Sequence, residues 1–192
     1  MAGRRSDTRE RIQQVALDLF VEQGYEKTSL REIAEKLDVT KAALYYHFRT
    51  KEDIVASLLD DLAGSVDEVL EWAREQPDQG EARAELIRRL AQLIAGRLGP
   101  IMRFMQENQP ALKDFADRNP LITRMKELFT IIAAGEREPA AQLRARLSLV
   151  ALLLGNHPRF LEETGGVAQP EAALQVALEL ASPRGRGAGE AT

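Results

Sequence analysis

The stretch TSLREIAEKLDVTKAALYYHFRTK, residues 28 to 51, constrains the fold of this chain more than any other. Leu30, Ile33, Ala34 and Leu37 recur at the i, i+3, i+4, i+7 spacing of a single buried helix face. Ser29 and Glu32 stand at the spacing of a capping box, in which each side chain takes the other residue's backbone N–H at a helix start. Asp38 and Val39 interrupt the periodicity. Thr40 then caps a second short helix whose inward residues are Leu44 and Phe48, one turn apart. Two short helices joined by so few residues make a helix-turn-helix unit. The preceding segment supplies a third helix: Ile12, Val15, Ala16, Leu19 and Phe20 form one apolar stripe, and Gly24 stands where that helix ends.

The second short helix carries residues the core does not need. Lys41 and Tyr45 share one outward stripe, Ala42 and Tyr46 the next. From Lys41 through Lys51 the charges are Lys41, Arg49 and Lys51, with no acid before Glu52, so this surface attracts phosphate. Tyr45, Tyr46 and His47 are short-reach donors suited to phosphate oxygens. Ala42 and Ala43 let the backbone enter a major groove, where small side chains suit thymine methyl groups. A solvated cationic face with tyrosines packed between helices is the plainer reading of each residue alone; their joint spacing favours nucleic acid.

This stretch resembles the DNA-binding domain of the TetR family of bacterial transcriptional regulators. The resemblance covers residues 7 to 56 and rests on Gly24–Tyr25, Thr28, Ile33–Ala34 and the run LYYHFRTKED from Leu44 to Asp53. It implies that Thr28, Tyr45, Tyr46, His47 and Lys51 contact phosphates. It also implies that Thr40, Lys41, Ala42 and Ala43 face the bases, Lys41 foremost. Asp38 departs from the glycine common in the family's turn, but aspartate tolerates a left-handed backbone better than most residues. Two readings fit the leader with Arg4, Arg5, Arg9 and Arg11: a basic arm along the minor groove, or a solvated terminus. No apolar stretch follows the arginine pair, so it does not read as an export signal.

Charge is distributed unevenly. Residues 1 to 52 carry ten Lys and Arg against nine Asp and Glu, whereas residues 53 to 192 carry 16 against 21. The attraction for DNA is therefore confined to one end, and a uniformly basic DNA-coating protein is disfavoured. The absence of cysteine excludes disulfides, cysteine nucleophiles and thiolate metal sites within the chain, and fits a cytoplasmic setting. The longest late apolar run, Leu149 to Leu154, is far too short to span a bilayer.

Beyond Lys51 the pattern is helical throughout. Thr50 and Asp53 can start a long helix over 51–76, and further helices are predicted over about 81–98, 101–117, 120–135, 139–156 and 170–182. Glycines and prolines such as Gly99, Pro100, Gly135 and Pro139 separate them. The expectation is an all-α chain: a three-helix DNA-binding domain with a helix-turn-helix at 1–52, a helical ligand-binding and dimerisation domain at 53–182, and a disordered tail at 183–192.

The segment Leu143 to Leu154 is apolar around too much of its circumference for a helix with one wet side, and residues 173–180 offer a second such surface. Either they form a buried intrachain core or they meet a second copy. The resemblance implies the latter, a homodimer through about 139–156 and 170–182 that places two recognition helices on a palindromic operator in double-stranded DNA. It also implies a small-molecule pocket in the second domain. Trp72, Met102, Phe104, Met105, Phe115, Met125 and Phe129 are candidates for its wall, with His157 as a polar contact, and ordinary core packing is the alternative for each. Because all three tyrosines lie before residue 52, the second domain has few neutral donors beyond Asn108, Gln109, Thr123, Asn156 and His157, which leans toward an apolar ligand.

Enzymatic readings lack residues. His47 and His157 are the only histidines, neither in a metal-ligand or triad-like setting, and Gly165–Gly166 lacks the Lys and Ser or Thr of a phosphate loop. No cofactor or metal is implied. The sequence thus points to a ligand-released repressor. An activator, a ligand-independent regulator or a helical protein-interaction adaptor are the alternatives.

Overall fold

The computed structural model describes residues 2–108, 110–112, 120–155 and 170–182, without the side chains of residues 2–6 and of Gln79. Every regular element among them is helical: α1 Ala2–Gln23, α2 Leu30–Lys36, α3 Lys41–His47, α4 Lys51–Arg74, α5 Gln79–Leu93, α6 Gly99–Glu107, α7 Leu121–Ile131, α8 Pro139–Leu154 and α9 Pro170–Ala181. The all-α architecture and the N-terminal helix-turn-helix expected from the sequence are both present. Among the described residues, no helix is long and apolar enough to cross a membrane. The expected tail at 183–192 and Gln109, Phe115, Asn156 and His157 lie outside the described residues.

The chain divides into two compact units, one of Met1–Gly64 with Arg97–Ile122, the other of Ser65–Gly96 with Thr123–Thr192. The first is larger than residues 1–52 because the start of α4 and all of α6 pack with the motif. Its core holds Ile12, Ala16, Phe20, Ile33, Leu44, Ile54, Leu62 and Phe104, all at most 1% exposed. Phe20 stacks on Phe104 with ring centroids 5.2 Å apart, and Tyr25 closes the cluster edge-on to Phe20 at 5.1 Å. A buried polar seam joins α1 to α4. Gln13 donates to Ser57 Oγ (2.5 Å) and Asp61 Oδ2 (2.6 Å), and Arg9 donates to the same Ser57 hydroxyl. These bonds satisfy Gln13, whose burial would otherwise be costly.

In the second unit α9 packs along α8 and against α5. Arg83 of α5 is 3% exposed, and its burial is compensated by four partners. It donates to the carbonyls of Ile132, Ala134 and Ala181 and pairs with Glu136 at 2.6 Å. Those carbonyls lie at or beyond the ends of α7 and α9, where intrahelical donors run out. Arg124 forms a two-pronged pair with Asp67, and Arg74 pairs with Glu127. At the end of α8, Gly155 lies so close to α9 that an added Cβ would stand 2.2 Å from the Ala173 Cβ.

One predicted break is absent. Gly99–Pro100 does not separate two helices. α5 instead passes through a π-turn, Ile94–Leu98, directly into α6, with Pro100 in the first turn of α6. Proline lacks an N–H and crowds the carbonyl four residues earlier, and the wider π geometry accommodates that locally. The helix predicted over 101–117 ends at Glu107, where the Asn108 side chain caps it by donating to the Phe104 carbonyl at 2.9 Å.

Candidate nucleic-acid interface

The interface is built by caps. Ser29 starts α2 by accepting from the Glu32 N–H (3.2 Å), while Glu32 accepts from the Ser29 N–H (2.7 Å), the reciprocal pair the sequence predicts. The Ser29 hydrogen bonds hold the Glu32 carboxyl below the usual carboxylate range. The α2 end is a Schellman turn: Val39 N–H reaches the Ala34 carbonyl at 3.0 Å, and Asp38 N–H the Glu35 carbonyl at 3.2 Å. This closure requires a left-handed residue, and Asp38 supplies it at φ 55°. Thr40 then caps α3 by accepting from Ala43 N–H at 3.2 Å. Thr50 and Asp53 repeat the reciprocal cap at the start of α4, with Asp53 accepting from Arg49 and Thr50 N–H at 3.0 Å each.

Between these caps α3 is oriented by two anchors, Leu44 at 0% and Phe48 at 2% exposure. Thr40, Lys41, Ala42 and Ala43 are exposed together on its first turn. Tyr45 and Tyr46 extend outward at 47% and 68% exposure, far more than tyrosines used as interhelical packing. The half-buried His47 ring meets Tyr46 edge-on at 5.3 Å. Seven of the nine predicted DNA-facing residues therefore share one short helix and its cap.

Thr28 is buried and Lys51 half-buried, each donating to a backbone carbonyl. Thr28 is 2% exposed, and its hydroxyl lies 2.9 Å from the Gly24 carbonyl and 3.3 Å from the Leu19 carbonyl, tying the α1–α2 turn to α1. The Lys51 ammonium donates to the Tyr25 carbonyl at 2.6 Å and sits 4.3 Å from the centre of the Tyr25 ring. Tyr25 is itself buried and donates its hydroxyl to Glu52 at 2.8 Å. Burial, reinforced by the Glu52 hydrogen bond and charge, raises its phenol well above its ordinary value. Glu52 moves the other way, lowered chiefly by a backbone hydrogen bond. Sequence reasoning missed Asn108 as part of this cluster: its Oδ1 accepts from the Tyr25 N–H at 3.3 Å across 83 residues, a separation with no local signature. In the leader, α1 already begins at Ala2, and Arg9 lies 5.1 Å over the Phe48 ring.

Residues 12–58 match the profile of the tetR family of bacterial regulatory proteins. The chain carries the DNA-binding domain of the TetR family over these residues. It is 39% identical over 72 residues to the HTH-type transcriptional regulator AcrR of Shigella flexneri, covering 37% of this chain and 34% of that one. It is 35% identical over 68 residues to QacR of Staphylococcus aureus, covering 35% of each. These alignments span about a third of the two curated relatives' length. Solved structures extend the likeness. The TetR-family regulator PfmR from Thermus thermophilus superposes with a TM-score of 0.65 at 27% identity, covering 88% of this chain and 96% of that one. AmtR of Mycobacterium smegmatis gives 0.65 at 26%, covering 92% and 87%. AcrR, QacR and PfmR are transcriptional regulators.

The predicted pocket residues are divided between the two units. Phe104 is fully buried in the aromatic cluster with Phe20 and Tyr25, so it is core of the first unit, and Met102 and Met105 are half-buried in that unit. Trp72, Met125 and Phe129 are half-buried in the second, where Arg89 lies 4.2 Å over the Trp72 ring.

Proposed function

We propose that this TetR-family chain is a transcriptional repressor that binds a palindromic operator as a homodimer and releases it when a small molecule occupies its second domain. The observation that carries the DNA-binding half is the exposure of Thr40 to Ala43, Tyr45 and Tyr46 on a helix fixed at both ends by caps and from beneath by Leu44 and Phe48. A rigid short helix with small residues at its first turn fits a major groove, with Lys41 reaching base edges and the tyrosines phosphates.

The dimer reading is supported by a stripe on α8. Leu143, Leu147 and Leu154 are 57%, 41% and 38% exposed, and with half-buried Val150 they follow the i, i+4, i+7, i+11 line of one helix face. Val176 of α9 is 45% exposed. Leucines aligned at this exposure suit a partner surface, and a two-fold pair of α8–α9 hairpins makes a four-helix interface. Ligand release is a population shift, in which a ligand favouring the arrangement unsuited to the operator lowers affinity by about 1–3 kcal/mol of coupling. α4 is one of the three segments that run from one unit into the other, and a cytoplasmic setting follows from this role. The second-unit residues Trp72, Met125 and Phe129 remain the candidates for an apolar ligand.

Replacing Lys41 and Tyr46 together by alanine tests the interface. Under the regulator reading, binding to a selected operator duplex is abolished while helicity and oligomeric state are kept. Unchanged binding would favour an adaptor whose helical head no longer reads DNA.

A further inference from the structure

α1 and α4 meet through a polar seam that a helix interface does not need for stability. Gln13 of α1 is 3% exposed, and its amide donates to Ser57 Oγ at 2.5 Å and to Asp61 Oδ2 at 2.6 Å. Ser57, also 3% exposed, accepts a second bond from Arg9 at 2.6 Å. Arg9 and Gln13 stand one turn apart on α1, as Ser57 and Asp61 do on α4, so the seam runs along both helices. Adjacent positions on these helices, Ile12, Leu17, Ile54 and Leu58, are buried and apolar. An apolar side chain of the same length would fill the place of Gln13 without the cost of burying an amide.

The two kinds of contact differ in their tolerance of displacement. Apolar packing loses uniqueness before it loses stability, whereas bonds of 2.5 and 2.6 Å are lost after a shift of about 1 Å. A buried amide is then left unpaired. α3 follows any such shift of α4, because only Phe48, Arg49 and Thr50 separate the two helices, and Asp53 of α4 accepts the N–H of both Arg49 and Thr50. Arg9 adds a direct tie: its guanidinium lies 5.1 Å over the ring of Phe48, the anchor that ends α3. We propose that Gln13 is a positioning residue for operator recognition, holding α4, and α3 with it, at one setting on α1. Gln13 is too deeply buried to touch DNA itself. The inference rests on the DNA-binding reading above and assigns a part in specificity to a residue outside α2 and α3.

The experiment uses the full-length protein as wild type, Gln13→Met, Ser57→Ala and the double variant. Methionine is unbranched like glutamine but makes no such hydrogen bonds. Affinity is measured for an operator duplex obtained by selection and for a scrambled duplex of equal length and composition, at one salt concentration, with thermal unfolding followed alongside. We expect Gln13→Met to lower the ratio of operator to scrambled affinity about tenfold, the scale of one mismatched base pair. Its melting temperature stays within about 4 °C of wild type, since Ser57 keeps Arg9 and the half-buried Asp61 keeps access to water. Ser57→Ala lowers the ratio in the same direction, and the double variant falls no further than Gln13→Met, because groups in one network do not add. A ratio unchanged in both single variants, equal weakening of the two duplexes, or additive losses in the double variant overturns the proposal. So does a larger drop in melting temperature in both single variants, which makes the seam an ordinary stabilising contact. Failure of the wild-type protein to prefer the selected operator overturns the DNA-binding reading itself, whereas a wild-type preference that the variants keep overturns this inference alone.

Discussion

Gly155 and Gly64 receive the same substitution with opposite expected signs. Gly155 caps α8 at φ −65°, a backbone any residue adopts, so alanine costs nothing in conformation. The cost is steric: its Cβ would stand 2.2 Å from the Ala173 Cβ and 3.4 Å from the Ala173 Cα. Ordinary carbon contacts lie near 3.5 Å, so α9 must retreat by about 1.3 Å along its closest approach to α8. Overpacking of this kind costs about 1–3 kcal/mol. For a chain of this size, that is a melting temperature lower by roughly 2–12 °C. Gly64 lies within α4 with nothing inside 4 Å of an added Cβ. Replacing it by alanine removes backbone freedom from the unfolded chain and stabilises the helix by about 0.5–1 kcal/mol. Thermal unfolding followed by circular dichroism at one protein concentration reads both. A Gly155→Ala protein as stable as wild type would refute the close α8–α9 approach. Because that retreat shifts the α8 leucines relative to Val176, sedimentation of Gly155→Ala should also show a weaker dimer.

Three further outcomes follow from the same geometry. Leu143→Glu with Leu147→Glu places charges in the exposed α8 stripe and should yield folded monomers by sedimentation, with operator affinity reduced by at least tenfold at equal concentration; an unchanged dimer would move the interface elsewhere. Asp38→Val puts a β-branched residue at φ 55° and should destabilise the chain by about 1–2 kcal/mol in denaturant unfolding, whereas Asp38→Gly should not. Glu32 and Glu52 both have lowered carboxyl pKa values in the fold, so they stabilise it above the unfolded carboxylate range, and that contribution is lost as pH falls through their folded values. An acid titration of wild type against Glu32→Gln and Glu52→Gln should show the variants losing less stability between neutral pH and pH 3.

The helix-turn-helix was legible because its determinants are local: capping pairs three residues apart, a helical stripe, and an aspartate in the turn. The bounds of α8 and α9 were also close to those expected, since proline opens each helix. The Gly99–Pro100 break misled because a π-turn absorbs a proline without ending the helix, a choice that depends on what the following turn packs against. Phe104 read as a pocket residue by type alone, but its partners Phe20 and Tyr25 lie about 80 residues away in sequence. The resemblance implies phosphate contacts for Thr28 and Lys51, and only the fold shows the backbone carbonyls to which both side chains also donate.

The most direct test of this account is selection of bound duplexes from a random DNA pool by the full-length protein at near-physiological salt, followed by sequencing and by the stoichiometry of the winning complex. The account predicts an inverted repeat with half-sites centred one helical turn, about 10 base pairs, or a multiple of it apart, bound by an even number of chains. No enriched sequence at moderate or low salt, or a single half-site bound by one chain, would contradict it.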